Sequence, residues 1–399
     1  MTMTNLDIFS LDQLSRRKFL ELVVCSNFIT NLPMSWEEHN IRSLNSPMSL
    51  PYEDISNIPL EVKIGQMLII GFRGVEVTEA HPIVADVKNN HIGGVVLFDY
   101  DVESHKNKRN IQSPSQLKEL ISKLQSFSSH TLLICIDYEG GKVTNLKEHY
   151  GFPHTESAQY LGGLPPQKTY NQAIRMAKTL SELGINVNFA PVIDINSNPN
   201  NPIIGKYGRS FSSTPSIVTE HALAFINAHQ QYNMKCTLKH FPGHGSSKTD
   251  SHLGFVDVTK SWSEFELEPY KSIISQGVAD MVMTAHLVNR KLEPSKIPAT
   301  FSYKIITQLL RNKLGFNGVV ISDDLQMKAI SSFYNLETTV KKSLEAGVDI
   351  LLFSNNGGKF EENIATQVVS IIKRLIDSSS ISESRIDESY RRIAKLKQA

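Results

Sequence analysis

Three histidines, an aspartate and two lysines crowd into fourteen residues, Lys239-His240-Phe241-Pro242-Gly243-His244-Gly245-Ser246-Ser247-Lys248-Thr249-Asp250-Ser251-His252. Asp250 and His252 lie two apart, close enough for a carboxylate to hold one imidazole nitrogen and leave the other for proton transfer. The same residues allow a second chemistry, metal ligation through His244, Asp250 and His252. They also allow none, since a polar surface loop can carry histidines by chance. From the residues alone these readings stay open.

A second group follows an apolar run. In Gly318-Val319-Val320-Ile321-Ser322-Asp323-Asp324-Leu325-Gln326-Met327 two carboxylates come directly after a β-branched stretch. An Asp there can serve as a covalent nucleophile. Capping the next helix is the plainer role, and it suits Asp324 better than Asp323.

Both groups need a scaffold that brings strand ends together. Eight apolar runs read as strands: residues 66–71, 94–98, 132–136, 187–192, 234–238, 281–285, 318–322 and 348–353. Near-continuous hydrophobic strands are what a parallel sheet covered on both faces requires. Helical patterns lie between or after them, among them 115–127, 166–183, 215–231, 263–276, 303–313, 361–377 and 383–397. Pro or Ser near several starts suits the orphan N–H groups of a first turn. Eight alternating units predict a (β/α)8 barrel, whose chemistry sits at the carboxyl ends of its strands. Polar residues gather at those ends: Asp137-Tyr138-Glu139-Gly140-Gly141 after strand three, then Asp194 and Gly208-Arg209-Ser210-Phe211 after strand four. Lys239 and His240 follow strand five, His286 strand six, and Ser354-Asn355-Asn356 strand eight. Each alone is an ordinary turn or cap residue. At one barrel mouth, a carboxylate, an Arg, a Lys and a His can together hold a polar ligand by charge-assisted hydrogen bonds.

The motifs resemble those of the family 3 glycoside hydrolases of the bacterial β-N-acetylglucosaminidase type. K-H-F-P-G-H-G followed by D-S-H, S-D-D-L-x-M, D-x-E-G-G and G-R-S-F all occur, and the resemblance spans residues 59–399. It implies Asp323 as nucleophile, His252 as general acid/base and Asp250 as its partner. It also implies sugar binding by Asp137, Arg209, Lys239 and His240, with no metal and no cofactor. The implied reaction is the retaining hydrolysis of terminal β-linked N-acetylglucosamine, for example on peptidoglycan fragments. Rival activities are a phosphorylase, whose neutral His tolerates a phosphate anion, and a β-glucosidase; a non-catalytic sugar-binding protein is a third reading. Two departures stand out. The usual R-V-x-R after D-x-E-G-G reads Lys142-Val143-Thr144-Asn145, so Asn145 replaces a substrate-binding Arg. Gly254-Phe255-Val256 stands where the family places a Leu-Pro pair after D-S-H. The family's larger β-glucosidases add a second domain bearing a Glu acid, and too few residues follow strand eight for it.

The charge balance favours a neutral or weakly charged substrate. Lys+Arg and Asp+Glu nearly cancel, 41 against 40, so no electrostatic footprint for nucleic acid is present. Apolar residues at 40% describe a soluble chain with a sizeable core. No run of apolar residues is long enough to span a membrane, and a monomer is expected. The three cysteines, Cys25, Cys135 and Cys236, form neither metal spacing nor disulfide framework. Residues 1–58 read as an export segment or surface arm. Ser15-Arg16-Arg17-Lys18-Phe19-Leu20 resembles a twin-arginine signal, so a periplasmic or extracellular location is expected, with the cytoplasm as the alternative.

Overall fold

A short strand that is apolar on both faces must be covered on both, and this governs the molecule. The structure, a computed structural model, describes residues 54–252 and 254–398. β1 (Leu68–Gly71), β2 (Gly94–Leu97) and β3 (Leu133–Ile136) are buried at every position. So are β4 (Val187–Asn188), β6 (Met281–Thr284), β7 (Val319–Ser322) and β8 (Leu351–Phe353). β5 (Lys235–Phe241) is buried in all but its first residue. The strands pair in parallel in the order β7-β6-β5-β4-β3-β2-β1-β8. A parallel bridge between Ile321 and Ile350 joins the two end strands and closes the (β/α)8 barrel.

Strand limits differ from the sequence expectation where a local residue intervenes. Gln66 ends a helix, α1 (Leu60–Gln66), instead of opening β1. The ladder of β4 stops at Asn188 and resumes only as a bridge from Val192 to Lys239. Pro191 has no N–H to give to the ladder. β5 runs three residues beyond its expected end, so Lys239 and His240 lie within the strand and not on the loop after it.

Helices cover the outside, and their starts show the expected chemistry. In α2 (Pro114–Phe127) the Ser113 hydroxyl accepts from the Gln116 N–H at 3.2 Å, with Pro114 at the first position. The pattern over 263–276 divides into a 3₁₀ turn, Glu264–Leu267, and α3 (Glu268–Ser275). Pro269 sits in the first turn of α3, where its missing N–H costs nothing. Residues 303–313 form a helix of π type, Lys304–Lys313. The last helix, α4 (Glu383–Gln398), is latched at the amino end of β8. Buried Asp349 accepts from Arg392 at 3.0 Å, from Ser389 at 2.8 Å and from Arg311 at 2.5 Å.

Cys135 and Cys236 are free and buried among the strands. Among the described residues, no helix is long and apolar enough to cross a membrane. The twin-arginine-like stretch and Cys25 lie outside the described residues. Of the expected arm, only residues 54–58 are described, and Ile55 within them is buried.

Candidate active site

Parallel strands feeding one barrel mouth bring residues far apart in sequence to a common cavity. The cavity here has a volume of about 480 Å³. Asp137 just after β3, Arg209 from the loop after β4, and Lys239 and His240 from β5 line it, and so do Asp250, His252 and Asp323.

Charge is arranged in a chain. The Lys239 ammonium donates to Asp137 Oδ1 at 2.6 Å and lies 2.7 Å from Glu139 Oε1. Arg209 grips Glu139 with two parallel bonds, Nε to Oε2 at 2.8 Å and Nη2 to Oε1 at 2.7 Å. The same Nη2 lies 3.3 Å from His240 Nε2, which accepts, while His240 Nδ1 donates to Asp194 Oδ2 at 2.7 Å. Burial would raise the Glu139 carboxyl, but Arg209 and Lys239 outweigh it and bring it to about 2. Asp194 is likewise held low against its burial, by His240 and His244. The network is fully satisfied, which locks the side chains around an otherwise open cavity.

The loop after β5 is fastened from beneath. Asp194 Oδ1 accepts from the His244 N–H at 2.7 Å, and Glu266 Oε2 accepts from the Gly245 N–H at 3.0 Å. Trp262 Nε1 donates to the Pro242 carbonyl at 3.0 Å. Gly243 has φ +117°, which a side chain rarely adopts. A Cβ on Gly245 would fall 1.7 Å from the Ile195 carbonyl oxygen. These two demands account for the G-H-G spacing.

Farther along, His252 Nδ1 meets Asp250 Oδ1 at 2.7 Å, and the same oxygen accepts the His252 backbone N–H at 2.8 Å. The pair sits at the mouth, walled by the cavity on one side, with solvent still reaching 60% of the imidazole. The hydrogen bond that His252 Nδ1 donates to Asp250 is the main cause that raises the His252 pKa above the usual imidazole value, reinforced by Asp323. Nε2 is left for proton exchange.

Asp323 and Asp324 part company after β7. Both line the cavity, but the Asp324 carboxylate is occupied: it accepts from the Ser354 N–H at 3.0 Å, the Ser354 hydroxyl at 2.5 Å and the Gln326 N–H at 3.1 Å. Asp323 accepts only the Asp324 N–H, at 2.8 Å, among the bonds of the described residues. Burial pushes Asp323 up, but the imidazoles of His286, His240 and His252 outweigh it and hold it low. Burial dominates at Asp324, whose carboxyl is raised. An ionised, under-occupied carboxylate beside a cavity can act as a nucleophile.

His244, the third residue of the metal-ligand possibility, is buried with Nδ1 2.7 Å from the Ser247 hydroxyl. No three His, Cys, Asp or Glu side chains among the described residues converge as metal ligands. Asn145 does line the cavity but works as a staple. Its Oδ1 accepts from the Asp99 N–H at 3.1 Å and its Nδ2 donates to the Asp137 carbonyl at 3.1 Å. Phe255 lies 39% exposed, edge-on to Phe333.

Residues 59–396 match the model of the glycosyl hydrolase family 3 N terminal domain. The chain belongs to that family. It is 33% identical over 386 residues to beta-hexosaminidase A of Pseudoalteromonas piscicida, covering 86% of this chain and 62% of that protein. It is 37% identical over 280 residues to a beta-hexosaminidase of Tolumonas auensis, covering 66% and 76%. A family 3 β-N-acetylglucosaminidase structure from a Paenibacillus species superposes with a TM-score of 0.78 at 35% identity, over 86% of this chain and 62% of that one. A β-N-acetylhexosaminidase from Beutenbergia cavernae gives 0.77 at 25% identity, over 86% and 99%. The chain thus spans under two thirds of the Pseudoalteromonas and Paenibacillus proteins.

Within this family 3 barrel, the sequence reading overlooked two residues. Glu139 stood in the D-x-E-G-G motif, where an acid before two glycines reads as part of a turn. Asp194 was seen as a strand-end residue, but its grip on His240 and His244 was not. A buried acid following a near-continuous apolar run was the available signal for both.

Proposed function

We propose that this chain is a retaining β-N-acetylhexosaminidase that removes terminal β-linked N-acetylglucosamine, with Asp323 as nucleophile and His252 as general acid/base. The hydrogen bond between Asp250 and His252 carries the reading. It favours the imidazolium, on the same cavity as an ionised Asp323. Asp323 attacks the anomeric carbon as the glycosidic C–O bond breaks, and the proton on His252 Nε2 goes to the leaving oxygen. His252, now neutral, takes a proton from water, whose oxygen displaces Asp323 and returns the sugar with retained configuration. Asp137, Arg209, Lys239 and His240 hold the hydroxyls of that sugar. Kinship with proteins named β-hexosaminidase and β-N-acetylglucosaminidase supports the substrate. Muropeptide fragments are the proposed natural source, and export through residues 15–20 is the proposed route to them.

The test is turnover of 4-nitrophenyl N-acetyl-β-glucosaminide beside the matching glucoside, each with and without phosphate. Release of free N-acetylglucosamine without phosphate is expected. A product that appears only as the sugar 1-phosphate overturns hydrolysis in favour of phosphorolysis. Preference for the glucoside overturns the sugar assignment. Fractionation of host cells for a C-terminally tagged chain checks export.

A further inference from the structure

We infer that His244 is a direct substrate contact that reads the 2-acetamido group of the sugar, its Nε2 bonding the amide while neighbouring Ile203 covers the methyl. The inference rests on the hexosaminidase reading and deepens it, since neither Asp137, Arg209, Lys239 nor His240 explains how an N-acetyl group is told from a hydroxyl.

The first observation is an orphaned atom. His244 is 1% exposed and lines the cavity. Its Nδ1 is engaged by the Ser247 hydroxyl, whereas its Nε2 is buried without a hydrogen-bond partner among the described residues. Of the described residues lining the cavity, His244 alone carries such an atom. Buried polar atoms are nearly always satisfied, and an exception at a binding cavity points to a missing ligand.

Location narrows the ligand. The His244 ring centroid lies 5.9 Å from that of His240, and His244 lines the same cavity as Asp323, Asp250 and His252, on the loop that leads from β5 to the Asp250–His252 pair. The imidazole therefore lies at the reacting end of the cavity. The ring substituent adjacent to an anomeric carbon is the one at C2. Burial also holds His244 down to about 4, so it meets substrate as a neutral group. A neutral imidazole has one donor and one acceptor nitrogen, and an amide offers the complement of either.

The methyl side comes from Ile203. Asn201 ties the two wall segments together, its Nδ2 donating to the His244 carbonyl at 2.7 Å and to the Gly245 carbonyl at 3.1 Å. Its Oδ1 accepts from the Ile203 and Ile204 N–H groups, each at 3.0 Å. Ile203 lines the same cavity and packs with Val192 and Ile204 in a small apolar cluster. A polar nitrogen and an apolar branch on one cavity, tied through Asn201, fit an acetamido group; a bare hydroxyl leaves the Ile203 side unused.

The experiment compares the full chain with His244→Phe and Ile203→Thr on 4-nitrophenyl N-acetyl-β-glucosaminide and 4-nitrophenyl β-glucoside. The selectivity ratio of the two kcat/KM values should fall about tenfold for His244→Phe, the scale of one lost hydrogen bond, chiefly through KM for the acetamido sugar. Ile203→Thr should lower the ratio in the same direction. Inhibition constants for free N-acetylglucosamine and glucose give the same comparison without turnover, and thermal unfolding checks that each variant is folded. An equal loss on both sugars, or an unchanged ratio in the folded variants, overturns the role of His244. An unaltered chain that turns over no N-acetylglucosaminide and does not bind the free sugar overturns the hexosaminidase reading, and this inference with it.

Discussion

Glu139 and Arg209 meet in a two-bond fork, and the carboxylate oxygen at 2.7 Å from Arg209 is also 2.7 Å from the Lys239 ammonium. One acid therefore orders two of the cations that face the cavity. Glu139→Gln should leave a buried guanidinium and ammonium short of charge, and breaking such a pair costs about 3–5 kcal/mol. The expected outcome is a lower unfolding midpoint together with a raised KM. A variant that unfolds at the unaltered temperature speaks against the fork as a stabilising element. The sign with pH follows from a folded pKa near 2, below the ordinary carboxyl value of 4.5. The stabilisation is present above that ordinary value and is lost as pH falls from there toward 2.

Asp323→Asn should abolish covalent catalysis and spare sugar binding, because the amide keeps the shape and loses the nucleophile. A 5-fluoro analogue of the N-acetyl sugar, with its 2-acetamido group intact and a good leaving group, should label the unaltered protein, and peptide mapping should place the label on Asp323. Label on Asp324 or any other residue sinks the assignment. The bonds that occupy the Asp324 carboxylate are the reason to expect none there.

Removing His252 deletes the proposed acid, and the damage should depend on the leaving group. General acid–base help is typically worth about 10²–10⁴-fold. His252→Ala should lose on that order with a natural disaccharide, yet much less with a nitrophenyl glycoside, whose leaving group needs little protonation. Asp250→Asn should show a smaller defect of the same kind. Equal losses by His252→Ala on both substrates exclude it as the acid.

The pH profile of kcat/KM should be a bell. Its acid limb reports Asp323, held below the usual carboxylate range, so activity is retained well into mild acid. Its basic limb reports loss of the His252 proton, above the ordinary 6.5 because Asp250 favours the imidazolium. Asp250→Asn removes that support, so the basic limb should move to lower pH while the acid limb stays. A basic limb that does not move in the variant detaches it from this pair.

A chain beginning at Glu53 should fold and turn over substrate, since every residue of the cavity lies in the compact unit Glu53–Ala399. Circular dichroism and nitrophenyl turnover check it. Loss of folding makes the first 52 residues part of the catalytic body.

The barrel was legible because its cause is local. Eight β-branched apolar runs can hide only in a parallel sheet covered on both faces, and polar residues placed straight after them must collect at one mouth. Asp137, Lys239, His240 and Asp323 sit at or just past strand ends for that reason, whereas Arg209, Asp250 and His252 lie on longer loops and stood out through motifs that resemble a family's; all seven line one cavity. Strand limits were less legible, because one proline, Pro191, stops a ladder that hydrophobicity alone extends. Tertiary structure decided what each charged group is next to. Glu139 finds Arg209 across 70 positions and Asp194 finds His240 across 46, separations over which no sequence periodicity acts. It also decided that the Asp323 carboxylate stays under-occupied while that of Asp324, its neighbour, is spent on Ser354, and that one nitrogen of His244 is left without a partner. Burial and through-space charge set those states, and both exist only once the strands have closed.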